Sequence, residues 1–205
     1  MTTLSASEAT VQARRDALRV PLEVPKSLFG RLLVWYSRRT YGDVLDNGLA
    51  LLRNRPVLMA TATFERKADK WGKLEPNLKT LAVMASASVI GCNWCMDFGH
   101  YAAHTKGLRV DKLREVPRWR DSDVFTDSER LVMEYAEAMT ATPPTVTDEL
   151  VATLNKTLGV PTVVELTKMV AVENERSRFN SALGLTSGRT WSGSSRGRRC
   201  TGSEP

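Results

Sequence analysis

The chain has 205 residues, of which 42% are hydrophobic and 25% are charged, and its net charge is +6. This length fits one globular domain, and the composition excludes a chain that is disordered throughout or embedded in a membrane. No window approaches the roughly 18 consecutive apolar residues of a membrane span, and residues 1–20 lack the apolar stretch of a secretory signal. We therefore expect a cytoplasmic protein without a membrane partner.

The excess positive charge lies at the two ends of the chain. Residues 1–40 carry seven basic and three acidic side chains, and residues 186–205 carry four arginines and one glutamate. The chain between them is nearly neutral, so we expect no basic groove and no nucleic-acid partner. The last segment is too polar to compensate its ordering entropy. We predict a flexible N-terminal arm over 1–25, one helical domain over 26–185 and a disordered basic tail over 186–205.

Helical signals follow one another along the domain, and no stretch shows the sustained alternation that is typical of a strand. Two helices are predicted over 42–52 and from Pro56 to about Lys70. Pro76 begins a third helix, which is apolar nearly all round and rich in small residues. This pattern predicts a buried central helix that neighbouring helices approach closely.

Gly91 interrupts the central helix, and a further helix is predicted from Cys92 to about Lys106. Three later helices are each predicted to begin at a threonine that is followed three residues later by an acidic residue, which is the pattern of a capping box. The pairs are Thr126 with Glu129, Thr145 with Asp148, and Thr162 with Glu165. The sequence therefore predicts an all-α fold.

Two cysteines, Cys92 and Cys95, lie in the first turn of a predicted helix, where we expect both sulfurs to be exposed. Free backbone N–H groups and the helix dipole favour a thiolate there, and a second thiol one turn away can convert an oxidised sulfur into a disulfide. The alternative is that both cysteines are small buried hydrophobic residues, because a single C-x-x-C is a weak motif. The pair is the best candidate for chemistry in the chain.

A metal site is a competing interpretation of the same segment, because Cys92, Cys95, His100 and His104 follow one another with a spacing that resembles a zinc site. On one continuous helix, however, Cys92 and His104 lie about 18 Å apart along the axis, so they cannot share one ion. Motifs for nucleotide binding and for serine hydrolases are absent from the sequence. We therefore expect neither a metal nor another cofactor.

The stretch LKTLAVMASASVIGCNWCMDFGHYAAHTKGL resembles the core of the carboxymuconolactone decarboxylase and alkyl hydroperoxidase D superfamily. Downstream, ERLVMEYAEAMTATPPTVTDELVATL and VVELTKMVAVENERSRFNSALGL resemble the last helices of its cysteine-containing members. The resemblance implies an AhpD-like helical bundle, assembly into dimers, trimers or hexamers through paired helices, and a thiol-dependent, peroxidase-like activity. It does not imply decarboxylation, because members that act on the lactone lack the paired cysteines.

The resemblance also assigns roles to individual positions. Cys92 matches the first cysteine of the family and Cys95 the second, which is the usual candidate for attack on peroxide. The family has a histidine four residues after the second cysteine, where this chain has Gly99. His100 comes one residue later, about 140° around the helix from Cys95, and is a weaker catalytic candidate. Thr80 stands where the family has a glutamate, so the usual proton relay is missing by residue type.

Three consequences of the missing relay remain open. The cysteine pair exchanges disulfides with the helix dipole as its only activation, another base such as Glu173 substitutes, or the scaffold has lost its chemistry. Glu173, Arg176 and Asn180 share one face of the last helix, which is solvated, part of a subunit interface or directed at the thiols. Cys200 in the tail is either an extra resolving thiol or a residue without a role.

The prediction that follows is a thiol peroxidase or disulfide oxidoreductase that uses Cys92 and Cys95. Its partners would be a peroxide or disulfide substrate, an unidentified thiol electron donor and further copies of the same chain. The first alternative is a non-catalytic helical assembly that keeps only the fold. The second is a lyase or small-molecule binder on the same scaffold.

Overall fold

The structure is a computed structural model, and it describes residues 17–24 and 26–186. Over these residues it contains helices and no strand, which confirms the predicted all-α class. The α-helices are α1 (Leu28–Tyr41), α2 (Asp46–Leu52), α3 (Arg55–Ala68), α4 (Pro76–Ile90), α5 (Asn93–Thr105), α6 (Val110–Leu113), α7 (Asp127–Thr140), α8 (Asp148–Leu158) and α9 (Val160–Ala182). A 3-10 helix, Val116–Asp121, lies between α6 and α7.

Helix α4 lies at the centre of the fold, with α5, α7 and α9 packed around it. Its small side chains, such as Ala82, Ala85 and Ala87, are almost completely buried and let the neighbouring helices approach. Larger side chains from the surrounding helices fill the core against it, among them Met133, Leu154 and Leu166. The predicted buried central helix is therefore confirmed.

The capping signals of the later helices are only partly correct. Thr126 and Glu129 form the predicted capping box at the start of α7. Helix α8 is capped by Thr147, whose hydroxyl accepts the N–H of Leu150, and not by Thr145 as predicted. The amide of Thr145 donates instead to the carbonyl of Ala138 at 2.9 Å, because the chain turns back along the end of α7 there.

The predicted start of α9 is also wrong. The helix begins at Val160, two residues before the expected cap Thr162, with a proline in its first turn. Glu165 forms no capping box with that threonine. Its carboxylate forms a buried ion pair with Lys79 on α4, at 2.6 Å, and thereby ties α9 to the central helix.

Helix α1 was not predicted, and the helix predicted over 42–52 is shorter than expected. Gly42, with a φ of 74°, ends α1 in the left-handed conformation that glycine adopts readily, so α2 begins only at Asp46. Helix α1 was missed because it has apolar residues on both its inner and its outer face, so its sequence lacks the single apolar stripe that is typical of a packed helix. Among the described helices, none is long and apolar enough to cross a membrane.

The predicted arm over 1–25 and the tail over 186–205, with Cys200, lie largely outside the described residues. The division into arm, domain and tail therefore stays a prediction. The described part of the arm is hydrogen-bonded to the domain, since the amide of Arg19 donates to the carbonyl of Leu183 at 3.0 Å.

Candidate active site

The two cysteines lie at the start of α5, directly after the end of α4. Gly91, with a φ of 76°, ends α4 and lets the next helix begin within two residues. Cys92 is the N-cap residue of α5, and its Sγ accepts the backbone N–H of Cys95 at 3.2 Å. A disulfide joins the two residues, whose Cα atoms are 5.3 Å apart. The two sulfurs therefore lie together at a helix N-terminus, as predicted.

Both cysteines are more buried than the sequence suggested. We expected an exposed pair, but Cys92 is 3% and Cys95 is 7% exposed. Apolar groups of Ala87, Trp94 and Leu45 pack around them. The apolar surroundings are incomplete, however, because α9 brings polar side chains to the sulfur of Cys95.

Three buried polar residues of α9 form this polar side. The hydroxyl of Ser177 lies 3.2 Å from the Sγ of Cys95, and the side-chain amide of Asn180 lies 3.4 Å from the same sulfur. The Ser177 hydroxyl also lies 2.8 Å from the carboxylate of Glu173. Of the three interpretations of this helix face, the structure favours the one directed at the thiols, since Ser177 and Asn180 contact the sulfur of Cys95 and Glu173 is 3% and Asn180 is 2% exposed.

Burial raises the pKa of Glu173 to about 7, against the opposing effects of Arg176 and of the hydrogen bond from Ser177. Arg176 is held mainly by Glu65 on α3, which accepts two of its N–H groups. Its remaining contact with Glu173 is a longer one, at 3.5 Å. Glu173 therefore shares its cation with a second carboxylate, which leaves it more easily protonated than a fully paired carboxylate would be.

The sequence pattern of the Carboxymuconolactone decarboxylase family matches residues 56–138. The uncharacterized protein YnjA of Escherichia coli (strain K12) is 35% identical to this chain over 155 residues, which are 74% of this chain and 84% of YnjA. The chain belongs to the carboxymuconolactone decarboxylase family. Its Cys92–Cys95 pair places it in the cysteine-containing branch of that family.

Two solved structures share the fold of this family member. A protein of unknown function from Agrobacterium tumefaciens, proposed to be the antioxidant defence protein AhpD, has a TM-score of 0.61 and 21% identity, covering 65% of this chain and 92% of its own. A cysteine-to-alanine variant of the debrominase Bmp8, in complex with 2,3,4-tribromopyrrole, has a TM-score of 0.70 and 17% identity. The match covers 82% of this chain and 92% of the debrominase. At these identities the likeness is one of fold.

Gly99, at the position of the family's histidine, has no room for a side chain in this structure. A side-chain carbon on Gly99 would collide with the Sδ of Met84, which is fully buried in the core. The glycine therefore accommodates the methionine of α4, and no imidazole fits there while Met84 keeps its place. Thr80, at the position of the family's glutamate, donates its hydroxyl to the carbonyl of Pro76 within its own helix.

His100 is buried on α5, and the structure gives it neighbours other than sulfur. Burial lowers its pKa, with a raising effect of Asp97 and a further lowering effect of Arg114. Among the described residues, no hydrogen bond joins His100 to either cysteine. His104 is exposed at the other end of α5. In the described part of the chain, no group of three or more His, Cys, Asp or Glu side chains could hold a metal ion.

Sequence reasoning missed Ser177 and the aromatic side chains beside the cysteines. Ser177 lies four residues after Glu173, so helical spacing alone could have placed it on the same face. Trp94 stacks on Phe98 with ring centroids 5.0 Å apart. Tyr41, at the end of α1, forms a T-shaped pair with Phe98, with ring centroids 5.9 Å apart. Trp94 and Phe98 pack against the cysteines, and Tyr41 extends the same aromatic wall beyond Phe98.

Proposed function

We propose that the protein is a thiol oxidoreductase that reduces a peroxide, or exchanges a disulfide, through Cys92 and Cys95. The observation that carries the proposal is the joining of both sulfurs at the N-terminus of α5, with polar groups of α9 on one of them. A helix N-terminus favours a thiolate, and a partner thiol one turn away favours a disulfide product. Family membership is compatible with this chemistry.

The reaction with a peroxide proceeds in two steps. The Cys95 thiolate attacks one oxygen of the peroxide, which forms an S–O bond, breaks the O–O bond and releases an alcohol or water after protonation. The thiolate of Cys92 then attacks the sulfenic sulfur, which forms the S–S bond and expels the second oxygen as water once protonated. The dithiol loses two electrons and the peroxide gains them. An external thiol donor reduces the disulfide again.

Thiol titration tests this proposal directly. In a Cys200→Ser background, the reduced protein is mixed with hydrogen peroxide or with a small aromatic disulfide, and the remaining thiols are counted. We expect both thiols to be lost and to return on reduction, and we expect Cys95→Ser to prevent the intramolecular disulfide. If both thiols stay inert to the oxidants and to a maleimide, the non-catalytic assembly is the correct interpretation.

A second candidate is the reductive removal of a halogen from an aromatic compound. The observation that favours it is the aromatic wall of Trp94, Phe98 and Tyr41 beside the cysteines, which suits a flat apolar ligand. The dithiol would supply the two electrons, and the carbon would exchange its halogen for a proton. Release of bromide from 2,3,4-tribromopyrrole by the reduced protein would support this activity, and its absence would leave peroxide or disulfide as the substrate.

We further propose that the chain assembles with copies of itself through α1, in line with the assembly that the family resemblance implies. Four apolar side chains form an exposed stripe on the outer face of this helix. They are Leu28 at 74%, Leu32 at 54%, Trp35 at 63% and Tyr36 at 52% exposure. Such a stripe is costly in water unless it is covered. We expect sedimentation velocity to show an oligomer that Leu32→Glu weakens, whereas a monomeric native protein would exclude this assembly.

A further inference from the structure

We propose that Glu173 and Ser177 of α9 form a proton relay that activates the thiol of Cys95, in place of the histidine that α5 lacks. This inference rests on the proposed thiol chemistry. The chain of contacts is continuous: the Sγ of Cys95 lies 3.2 Å from the Ser177 hydroxyl, which lies 2.8 Å from a carboxylate oxygen of Glu173. Ser177 is 0% exposed, so bulk water does not compete for its hydroxyl.

The hydroxyl of Ser177 has one proton but two neighbours that can accept it. It can donate to the Glu173 carboxylate or to the Cys95 sulfur, but not to both at once. In the reduced protein, a protonated Cys95 can donate to the serine while the serine donates to the carboxylate. When the thiol is ionised and Glu173 is protonated, both hydrogen bonds reverse. The three groups are therefore arranged to share one proton between two positions.

The electrostatic surroundings suit a base that works near neutral pH. The charged groups near Glu173 are Arg176 on its own helix and Glu65 on α3. Helix α5 contributes Cys95, which reaches Glu173 only through the Ser177 hydroxyl and carries a thiol once the disulfide is reduced. Burial raises the pKa of Glu173 to about 7, so the carboxylate and the acid are both populated at neutral pH. A base with such a pKa can accept a proton and return it in the same cycle.

The relay completes the proton balance of the peroxide step. The proton of Cys95 moves to the Ser177 oxygen as the serine proton moves to Glu173, which leaves a thiolate, an intact hydroxyl and a carboxylic acid. After the thiolate takes one oxygen of the peroxide, the leaving alkoxide or hydroxide accepts a proton, and Glu173 returns it through the same serine. Glu173 ends as the carboxylate it was at the start. Asn180 donates to the sulfur and holds it towards α9.

The test compares relay variants with matched variants on the same helix. All proteins carry Cys200→Ser, start reduced and are mixed with hydrogen peroxide in a stopped-flow instrument. The change in total tryptophan fluorescence, to which Trp94 beside the cysteines contributes, reports disulfide formation. The relay variants are Glu173→Gln and Ser177→Ala. Their controls are Glu175→Gln and Ser181→Ala, which change the same residue types at exposed positions of α9. At pH 7 we expect both relay variants to react at least about tenfold more slowly, and both controls to stay within about twofold of the parent.

A second variant separates a relay from a merely structural cluster. Glu65→Gln removes a negative neighbour of Glu173 and frees Arg176 to pair with it, and both changes lower the pKa of Glu173. Because the relay needs the carboxylate form, the rise of the rate with pH should move to lower pH in Glu65→Gln, with the maximal rate retained. If Glu173 had only a structural role, the pH dependence of the rate would be the same in Glu65→Gln and in the parent. This variant changes a half-exposed position, so its result does not depend on the folding of the buried variants.

The outcomes distinguish the relay from the function on which it rests. A parent protein that forms no disulfide with peroxides or small disulfides overturns both. A parent that reacts while Glu173→Gln and Ser177→Ala keep the rates of their controls overturns the relay alone. An unmoved pH profile in Glu65→Gln also counts against the relay, because it would mean that Glu173 does not govern the rate.

Discussion

Two buried polar clusters lie side by side on α9, and only one of them contacts a cysteine sulfur. The sulfur cluster consists of Glu173, Ser177, Asn180 and Cys95. The amide cluster consists of Asn174, Ser86 and Thr140. Neighbouring positions on one helix, about 100° apart, therefore serve two separate polar networks.

The difference between the clusters is one of charge and of proton sharing. In the amide cluster, the Asn174 amide donates to Ser86 at 3.0 Å and to Thr140 at 2.9 Å, and the Thr140 hydroxyl donates to the carbonyl of Ala136. Every group there is neutral and keeps its proton throughout the physiological pH range. The sulfur cluster contains the carboxyl group of Glu173 and the disulfide sulfur of Cys95 on either side of one hydroxyl. Burial of polar groups alone is thus a poor sign of function, whereas a buried group that titrates next to sulfur is a better one.

The largest expected effect concerns the stability of Glu173→Gln as a function of pH. The pKa of Glu173 is raised from 4.5 to about 7, so the folded protein binds this proton more tightly than the unfolded chain does. The stability gained from this is present below about pH 4.5 and is lost as the pH rises through 7. Glutamine is neutral at every pH. Both proteins are compared in the oxidised form. From pH 5 to pH 8, we expect the free energy of unfolding of Glu173→Gln to rise by about 2 to 3 kcal/mol relative to that of the parent.

Urea unfolding at the two pH values measures this change. Glu175→Gln is the control, because it removes one carboxylate from an exposed position of the same helix. A difference between parent and Glu173→Gln that is equal at pH 5 and pH 8 would contradict the titration of Glu173 in this range. The comparison is made between variants, so the other carboxylates of the chain cancel.

A somewhat smaller effect is expected for the amide cluster. Asn174→Ala leaves two buried hydroxyls without their amide donor and should lower the free energy of unfolding by about 2 kcal/mol. Since no group in this cluster titrates, the loss should be the same at pH 5 and pH 8. The rate of disulfide formation with peroxide should stay within about twofold of the parent. A large loss of rate would show that the two clusters are coupled, and Arg178→Ala at an exposed position serves as the control.

The sequence could predict those features that depend on neighbouring residues. The buried α4 follows from its apolar and small side chains, and the place of Cys92 and Cys95 follows from the glycine before them. The contact between Ser177 and Cys95 could not be predicted, because it joins residues 82 positions apart through the packing of α9 on α5. The burial of the sulfurs has the same origin. Sequence spacing identified Glu173 as a possible base, but only the packed helices place it one hydroxyl away from sulfur.

The surroundings of Gly99 could not be predicted from the sequence either, because its neighbour Met84 belongs to another helix. The family pattern suggested that Gly99→His would restore a relay, but the added side chain would collide with Met84. Even Gly99→Ala should therefore destabilise the protein by about 1 kcal/mol, since the overpacking exceeds the gain in helix propensity. Met84→Ala leaves a cavity and costs more by itself, but it makes room for the new methyl group.

A double-mutant cycle decides whether this one contact closes the position of the family's histidine. In the Met84→Ala background, Gly99→Ala should become neutral or stabilising, so the coupling energy should be about 1 kcal/mol or more. Urea unfolding of the four proteins at one pH measures it. Additive effects would mean that Met84 does not fill this space. With coupling, Met84→Ala combined with Gly99→His becomes the variant in which an imidazole can reach Cys95, and its peroxide rate can be compared with that of the relay through Ser177.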